Sequence, residues 1–419
     1  MIKRILEKLK NEYLSNILTM MSGVFLSQVI LVLGSFVLTR IFTPEDFGLI
    51  ALFLSLASVL TVISTGRYEH SIILPKERSD GYNLMLQTVF IVIAFSVVLF
   101  FVLWPLADKL SVLLRNPAIA PWLPFLPLMV LCNALFFTFR AWLIRFKEFK
   151  TITTAGVVKS MVLNGILITG GFITGHVVFF LIGNITAQSI ETLLLYLRMR
   201  KQGISEKRYD KQQVIELFRR YDNFPKYLLP ADLINTYASQ NPIILLNLFF
   251  GDAVVGFYSL AERVLGLPIK LISSTTKEVY KQKATAEFNS KGNCRQVFRN
   301  TFLMLFFSSL IPTVILFFAA PDLFAFFFGE EWRSSGVYSR YLLIMFCFQF
   351  SVSPLSFTLF IRGHQRYNLY WQIGLLITTS AGLYFGYYHG SADYAILGFS
   401  VMYSIMYLVY LKMIHNAAK

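Results

Sequence analysis

Residues 82–105 read YNLMLQTVFIVIAFSVVLFFVLWP, and this stretch contains no charged side chain. An α-helix needs roughly 20 mostly apolar residues to cross the hydrocarbon core of a membrane. Eleven further segments of similar character lie on either side of it. The sequence therefore predicts an all-α integral membrane protein with twelve transmembrane helices, at residues 14–39, 47–66, 82–105, 122–144, 151–173, 177–197, 228–250, 254–275, 298–320, 338–361, 368–388 and 394–414.

The basic residues predict how these helices are oriented, since Lys and Arg concentrate on the cytoplasmic side of membrane proteins. With both termini placed in the cytoplasm, 30 of the 38 Lys and Arg lie nearest to the inner side, five lie nearest to the outer side, and three remain within spans. The net charge of +15 is then mostly a cytoplasmic face, which would attract anionic membrane lipids. We expect no nucleic-acid partner, because no basic patch lies on a separate soluble domain.

The longest hydrophilic stretch divides the predicted helices into two groups of six. It covers residues 198–227 and predicts a basic cytoplasmic linker between an N-terminal lobe (1–197) and a C-terminal lobe (228–419). An apolar face at helical spacing predicts that part of the linker lies on the inner leaflet, although a plain connector would also fit. The residues of this face are Val214, Leu217, Phe218 and Tyr221.

The two halves share a short motif. Phe42-Thr-Pro-Glu-Asp-Phe-Gly48 follows the first span, and Phe250-Gly-Asp-Ala-Val-Val-Gly256 follows the seventh. Each is a predicted outer turn that leads directly into another apolar segment. Equal halves of parallel topology predict two six-helix lobes around a central cavity, related by an axis along the membrane normal.

Charged residues within the spans are candidate site residues, because a charge at mid-bilayer costs about 2.5–3.5 kcal/mol. Arg263 lies near the middle of the eighth span. It shares one helical stripe with Ser259, Gly266 and Lys270, at spacings of three and four residues. This stripe predicts one wall of a hydrated cavity that carries two cations.

Lys159 and Glu191 lie at matching depths in the fifth and sixth spans, which predicts an ion pair with either a functional or a purely structural role. Further candidates lie at helix ends: Arg40 after span 1, Arg67 and Glu69 after span 2, and Asp232 in span 7. Arg67 also fits the role of a cytoplasmic anchor, as does Arg140. Arg and Lys in a low-dielectric cavity suit phosphate or carboxylate ligands.

Other kinds of site are poorly supported. The three cysteines, Cys132, Cys294 and Cys347, lack the spacing of a zinc site or a disulfide framework. No predicted outer loop is long enough for a folded catalytic domain, which usually needs at least about 50 residues. We therefore expect a protein that is not an enzyme and that needs no cofactor.

Three stretches resemble a known family: Thr39–Leu52, Arg67–Lys76 and Val255–Ile269. They look like the polysaccharide-biosynthesis transporters of the multidrug/oligosaccharidyl-lipid/polysaccharide exporter superfamily. Within it they are most similar to the lipid-linked oligosaccharide flippases for O-antigen (lipopolysaccharide), capsule or exopolysaccharide units. One departure is Asn241-Pro242, which occupies a part of span 7 where many relatives place an acidic residue.

The resemblance implies a V-shaped bundle of two lobes in the bacterial cytoplasmic (inner) membrane. It implies alternating access that turns an undecaprenyl-diphosphate-linked oligosaccharide from the inner to the outer leaflet, with coupling to protons or sodium ions left open. A polysaccharide polymerase and chain-length machinery would be partners. The candidate substrate contacts are Arg263, Lys270, Lys159, Arg40 and Arg67, and the candidate ion-coupling residues are Glu191, Asp232 and Glu69.

Three alternatives stay open. A drug/cation antiporter of the same superfamily would prefer acidic residues in its cavity. A membrane polysaccharide polymerase or glycosyltransferase would need an outer catalytic group, for which Asp322, Glu330 and Glu331 are the only candidates. A scramblase or a structural membrane scaffold is the third.

Overall fold

The structure is a computed structural model that describes residues 2–202, 211–361 and 365–418. Within these ranges, it leaves undescribed the side chains of residues 2–18, 211–215, 268–272, 274, 275, 278, 360 and 365. Every regular element in the described ranges is helical. The α-helices are α1 (Ile2–Leu38), α2 (Pro44–Ser64), α3 (Arg78–Leu113), α4 (Leu126–Arg145), α5 (Phe149–Thr174), α6 (Val178–Lys201), α7 (Lys211–Arg220), α8 (Leu229–Phe250), α9 (Asp252–Lys291), α10 (Arg295–Phe328), α11 (Arg333–Val352), α12 (Phe357–Ile361), α13 (Gln365–Tyr388) and α14 (Ala392–Ala418).

Short tight helices join some of these elements. The 3₁₀ helices are Tyr68–Ile73, Pro117–Phe125, Glu330–Trp332 and Ser353–Ser356, and a π-helix covers Phe224–Leu228. Pro117–Phe125 contains three prolines, whose missing N–H groups do not support a regular α-helix. The predicted start of the fourth span at residue 122 therefore lies in a 3₁₀ helix that leads into α4.

Nine helical segments in the described residues are long and apolar enough to cross a membrane, so the chain is a multi-pass membrane protein. They are Thr19–Leu38, Pro44–Ser64, Arg78–Leu113, Pro117–Arg145, Phe149–Thr174, Val178–Lys201, Arg295–Phe328, Glu330–Leu359 and Ala392–Ala418. The other three predicted spans fall on α8, α9 and α13, which are long helices outside this set. The number twelve stays a prediction.

Several helices extend beyond the predicted spans. The clearest case is α9, which has 40 residues and a predicted span of only 254–275. At 1.5 Å per residue it is about 60 Å long, twice the thickness of the hydrocarbon core. Its C-terminal half carries Lys277, Lys281, Lys283, Glu287 and Lys291, so this half of α9 is polar.

The chain divides into two compact units. The first contains residues 1–41 and 53–237, and the second contains residues 42–52 and 238–419. Helices α2 and α8 each contribute one end to each unit. The predicted lobe and linker boundaries differ from this division, and they stay a prediction about domains.

In the first unit, α1 packs on α5, α5 on α6, α6 on α4, and α4 on α3. Trp142 of α4 is fully buried at its centre, together with Leu84 of α3 and Ile72 of the first 3₁₀ helix. Leu217 of α7 joins this core, and Phe218 stacks on Tyr68 with ring centroids 4.2 Å apart. The expectation that this face lies on the inner leaflet is wrong for Leu217 and Phe218, because both side chains pack against protein. Val214 lies outside the described side chains.

In the second unit, α9 packs on α11, α11 on α10 and α14, and α13 on α14. The contact between α13 and α14 uses small residues. A Cβ on Gly382 would lie 2.5 Å from the carbonyl oxygen of Gly398, and one on Gly386 would lie 2.1 Å from the amide nitrogen of Ala395. Small residues at such positions let transmembrane helices approach backbone to backbone.

The two copies of the repeated motif contact each other within this unit. A Cβ on Gly48 would lie 1.9 Å from the carbonyl oxygen of Asp252, and one on Gly256 would lie 1.9 Å from that of Pro44. Gly48 and Gly256 differ by 208 positions (256 − 48), as do Pro44 and Asp252 (252 − 44). The contact is therefore reciprocal, and it explains why glycine ends both motifs.

Candidate functional site

The first unit contains a charged cavity between α1, α4, α5 and α6. Its volume is about 260 Å³, and its polar lining includes Ser27, Gln28, Arg140, Lys159 and Glu191. The two cations outnumber the one carboxylate, so with these groups ionised the lining carries a charge of +1. The sequence identified Lys159 and Glu191 as site candidates but weighed Arg140 mainly as a cytoplasmic anchor.

The predicted pairing of Lys159 with Glu191 is present in this cavity. Lys159 Nζ lies 3.0 Å from Glu191 Oε2, and it also donates a hydrogen bond to Gln188 Oε1. The Glu191 side chain is 6% exposed, whereas that of Lys159 is 35% exposed. The Glu191 carboxylate thus belongs to the more buried side chain, and Lys159 is the more exposed partner.

A glycine keeps the space beside this pair open. A Cβ on Gly156 would lie 3.6 Å from Glu191 Oε1 and 3.7 Å from Ser27 Oγ. Any side chain larger than alanine at this position would therefore extend towards the carboxylate. The cavity has room for a phosphate or carboxylate group with a few waters, but not for a whole oligosaccharide.

Three other predicted site residues meet at the end of α2. Arg67 Nη1 lies 3.1 Å from Glu69 Oε1, and Arg67 Nε lies 2.9 Å from Asp232 Oδ2 at the start of α8. His70 Nε2 lies 3.8 Å from the same Glu69 oxygen. Glu69 is the most buried of these groups, with a side chain that is 5% exposed. One guanidinium group is thus shared by two carboxylates.

Backbone conformation and a distant arginine position this cluster. Gly66 and Arg67 both adopt the left-handed conformation, with φ values of 55° and 61°, and so turn the chain after α2. Arg145 at the end of α4 then donates hydrogen bonds to four carbonyl oxygens of the following loop, at distances of 2.9–3.3 Å. Sequence reasoning missed this role of Arg145, because carbonyl acceptors leave no signal in the sequence.

Arg40 has local contacts at the end of α1. Its Nη1 donates a 2.7 Å hydrogen bond to the carbonyl oxygen of Phe36, one turn earlier in the same helix. Cations are favourable at this position, because the last carbonyl groups of a helix carry partial negative charge. This contact gives Arg40 a structural role at the end of α1.

Arg263 lies in the second unit, on α9. Its Cζ atom is 5.9 Å from the centroid of the Phe47 ring, which itself packs edge-on against Trp332. On the same predicted stripe, no atom of the described residues lies within 4 Å of the Cβ position of Gly266. The side chain of Lys270 lies outside the described residues, so its predicted place beside Arg263 stays a prediction.

Two polar groups outside these clusters have clear partners. Asn241, which stands where the family resemblance predicts an acidic residue, is buried and donates a 2.8 Å hydrogen bond to Ser380 Oγ. Arg333 forms ion pairs with both Asp322 and Glu330, so two of the three acids considered for an outer catalytic group share one cation. The described side chains include no group of three or more His, Cys, Asp or Glu that could hold a metal ion.

Comparison with known proteins gives a consistent set of likenesses. Residues 37–336 match the family described as "Polysaccharide biosynthesis protein". The chain is 22% identical over 245 residues to the teichuronic acid biosynthesis protein TuaB of Bacillus subtilis (strain 168). That match covers 58% of this chain and spans about half (50%) of the length of the curated relative.

Two solved structures have the same fold. One is an inward-facing multidrug resistance MATE family transporter of the MOP superfamily, with a TM-score of 0.73, 13% identity, and coverage of 93% of this chain and 95% of that chain. The other is the lipid II flippase MurJ in an inward closed conformation, with a TM-score of 0.72, 14% identity, and coverage of 94% and 86%. At these identities the likeness shows the fold alone.

Proposed function

The chain belongs to the polysaccharide biosynthesis protein family, and from this premise we propose that it is a flippase for an undecaprenyl-diphosphate-linked oligosaccharide. It would move this lipid from the inner to the outer leaflet of the bacterial cytoplasmic membrane by alternating access. The product would supply O-antigen, capsule or exopolysaccharide biosynthesis. Twelve spans with both termini in the cytoplasm are part of this proposal.

The cavity of Arg140, Lys159 and Glu191 is the observation that carries the proposal. A lipid-linked oligosaccharide brings a diphosphate and, in acidic glycans, carboxylates that must leave water during transfer. A fixed excess of one positive charge in a low-dielectric cavity favours such an anion. We assign Lys159 and Arg140 to an acidic group of the substrate, and Glu191 to holding Lys159 in place.

The other site residues predicted from the sequence keep their proposed roles, and each role has its own supporting observation. Arg263, with Lys270, is the proposed diphosphate contact in the second unit, supported by the open position beside Gly266. Arg40 and Arg67 are weaker substrate contacts, because both guanidinium groups already bind protein oxygen atoms. Glu191, Asp232 and Glu69 are the candidate residues for proton or sodium coupling.

A drug/cation antiporter is the second candidate, and the multidrug transporter with the same fold is the observation that favours it. A cationic drug would be repelled by the net charge of +1 in the cavity. A polymerase or glycosyltransferase has less support, because Arg333 already binds Asp322 and Glu330.

The decisive experiment is a gene deletion followed by analysis of the lipid-linked glycans. A flippase defect should leave complete repeat units on undecaprenyl diphosphate at the cytoplasmic face, and the wild-type gene should restore surface polysaccharide. Incomplete sugar chains would instead indicate a glycosyltransferase. Single repeat units on the outer face would indicate a polymerase, and unchanged glycan with altered drug tolerance would indicate an antiporter.

A further inference from the structure

A second pocket in the first unit lies between α3, α4 and α6. Its volume is about 360 Å³, and none of its lining residues lines the charged cavity. On α6, Arg200 of this pocket lies nine residues after Glu191 of the charged cavity. At 3.6 residues per turn, this spacing is two and a half turns. The two sites therefore lie on opposite faces of α6.

The pocket has one end at the joined ends of two helices. Arg78, the first residue of α3, donates a 2.8 Å hydrogen bond to the carbonyl oxygen of Gln202, which follows the last residue of α6. Because both helices also line the pocket, they run in opposite directions along it. Tyr82 and Arg200 thus lie near this joined end, and Val89 lies deeper along α3.

The deeper end of the pocket is apolar. Leu86, Val89 and Phe139 line it, and the Phe139 ring packs against Tyr196 with centroids 5.6 Å apart. From Tyr82 to Val89 is about 10 Å along the helix, which is about two-thirds of the hydrocarbon depth of one leaflet. The volume equals that of about twelve waters at about 30 Å³ each. The pocket therefore has room for a phosphate and the upper part of one hydrocarbon chain.

Two cations lie at the joined end. Arg200 lines the pocket, is exposed, and has no hydrogen-bond or ion-pair partner among the described residues. Arg78 precedes Tyr82 by four residues, so it lies one turn away on the same face of α3. Its guanidinium group already contacts the Gln202 carbonyl and lies over the Phe146 ring, with Cζ 5.0 Å from the centroid. Arg200 is thus the cation that is left for a ligand.

The acidic residues near this end lie on other faces. No acidic residue in the described part of the chain lines the pocket. Asp80 lies about 160° around α3 from the lining tyrosine two positions later, and Glu77 precedes the helix. Glu148 pairs with Arg198, whose Nη2 lies 2.7 Å from Glu148 Oε1. The joined end therefore keeps the positive charge of the lining arginine.

We propose that this pocket binds an anionic glycerophospholipid of the inner leaflet. Arg200 binds the phosphate through a charge-assisted contact, and Leu86, Val89 and Phe139 cover the upper part of one chain. A zwitterionic lipid carries its own cation beside its phosphate, so an unpaired arginine favours a lipid with a net negative charge. In the predicted topology the joined end faces the cytoplasm, where the leaflet is rich in anionic lipids. The inference does not rest on the proposed flippase function, because the pocket shares no residue with the charged cavity.

The test uses the full chain in phosphatidylcholine vesicles and a tryptophan placed in the pocket. Tyr196→Trp supplies this reporter, and its signal is the emission that the variant adds to that of the parent protein. Phosphatidylglycerol with brominated chains should quench this signal about fivefold more effectively than brominated phosphatidylcholine, as expected for one unneutralised cation at a membrane surface. Leu197→Trp, at an exposed neighbour outside the lining, should be quenched equally by both lipids.

Charge variants in the Tyr196→Trp background test the role of the arginine. Arg200→Gln should abolish the preference for phosphatidylglycerol, and Arg200→Lys should retain it, since the positive charge remains. Lys201→Gln removes the next cation on α6, which is exposed and outside the lining, and it should leave the preference unchanged. Equal effects of Arg200→Gln and Lys201→Gln would overturn the proposal.

Filling the pocket gives an independent check. Val89→Phe should weaken the quenching of the Tyr196→Trp reporter by both lipids, whereas Val98→Phe, on an exposed part of α3 outside the lining, should not. Equal quenching of the reporter by the two lipids would contradict the proposal. So would displacement of brominated phosphatidylglycerol by a lower concentration of a polyprenyl phosphate, which would assign the pocket to a carrier lipid instead.

Discussion

Single charged side chains mark the candidate site, because the membrane makes each of them costly. Lys159 and Glu191 could be paired from the sequence by their depth alone, and the structure places them 3.0 Å apart. Arg140 could not be ranked in the same way. It lies close enough to a helix end to serve as an anchor, and only packing shows that it lines the cavity.

Reversing the charges of this pair tests whether the contact matters. Lys159→Glu or Glu191→Lys alone leaves like charges beside each other, and removing a partner from a buried pair costs about 3–5 kcal/mol. We expect about half of that here, because the Lys159 side chain is one-third exposed. The thermal unfolding midpoint in detergent should fall in each single variant.

The double variant Lys159→Glu/Glu191→Lys should recover most of the lost thermal stability. It should not recover export, since the ammonium and carboxylate groups would have exchanged places in the cavity. Additive losses of stability in the double variant would show that the two side chains do not interact.

The glycine contact at the start of α9 gives a second prediction about single residues. Gly256→Ala would place a methyl group 1.9 Å from the carbonyl oxygen of Pro44, so the two backbones must move apart. We expect a loss of at least about 1–3 kcal/mol, as for overpacked cores. Gly266→Ala on the same helix has no such neighbour and should stabilise the protein by about 0.5–1 kcal/mol. Equal unfolding midpoints for the two variants would contradict this contact.

Helices were easier to predict than their connections. Long apolar runs located the helices, since length and hydropathy are enough to identify a membrane span. The chain around the end of α2, α7 and the start of α8 depends instead on contacts between distant residues, such as Tyr68 with Phe218 and Arg67 with Asp232. An amphipathic pattern in α7 shows that one face is covered, but it does not show whether lipid or protein covers it.

Arg145 connects these elements and gives a prediction for the loop after α2. Arg145→Ala would leave four carbonyl oxygens without their donor, and we expect a loss of about 2–4 kcal/mol. Arg145→Lys should recover less than half of this loss, because an ammonium group lacks the planar fork that reaches both ends of the loop. Proteolysis within residues 72–77 of the purified protein would report the loosened loop.

The exposed Lys150 provides the control for Arg145. Lys150→Ala removes a cation five residues away, and it should not change the rate of cleavage. Equal cleavage of the Arg145→Ala and Lys150→Ala variants would mean that the loop is held by other contacts.

At the scale of the whole molecule, the sequence predicted the class, fold and family well, but it predicted the number of spans less securely. Its membrane class, its helical fold and its family were evident from hydropathy and short motifs, and the comparisons confirm the family. The count of twelve spans is harder to establish, because α8, α9 and α13 carry enough polar residues to fall outside the nine apolar segments. Those polar residues include the candidate site residues Asp232, Arg263 and Lys270, so a role in transport would itself weaken the membrane signal.

Surface labelling tests the predicted topology. Two exposed alanines suit this experiment: Ala118 in the predicted outer segment between α3 and α4, and Ala286 near the predicted cytoplasmic end of α9. In intact cells or spheroplasts, a membrane-impermeant maleimide should label Ala118→Cys and not Ala286→Cys. The native cysteines Cys132, Cys294 and Cys347 are buried and should contribute little background. The opposite pattern would invert the topology.

The central claim is that the cavity of Arg140 and Lys159 receives an acidic group of a lipid-linked glycan. The most direct measurement is the amount of lipid-linked repeat unit accumulated in cells whose only copy is Arg140→Gln/Lys159→Gln. We predict at least about tenfold accumulation over wild type, since losing two charge-assisted contacts costs well over 1.4 kcal/mol. Lys150→Gln/Lys412→Gln, which removes two exposed cations elsewhere, should behave as wild type. Normal export by a stably inserted Arg140→Gln/Lys159→Gln protein would contradict the account.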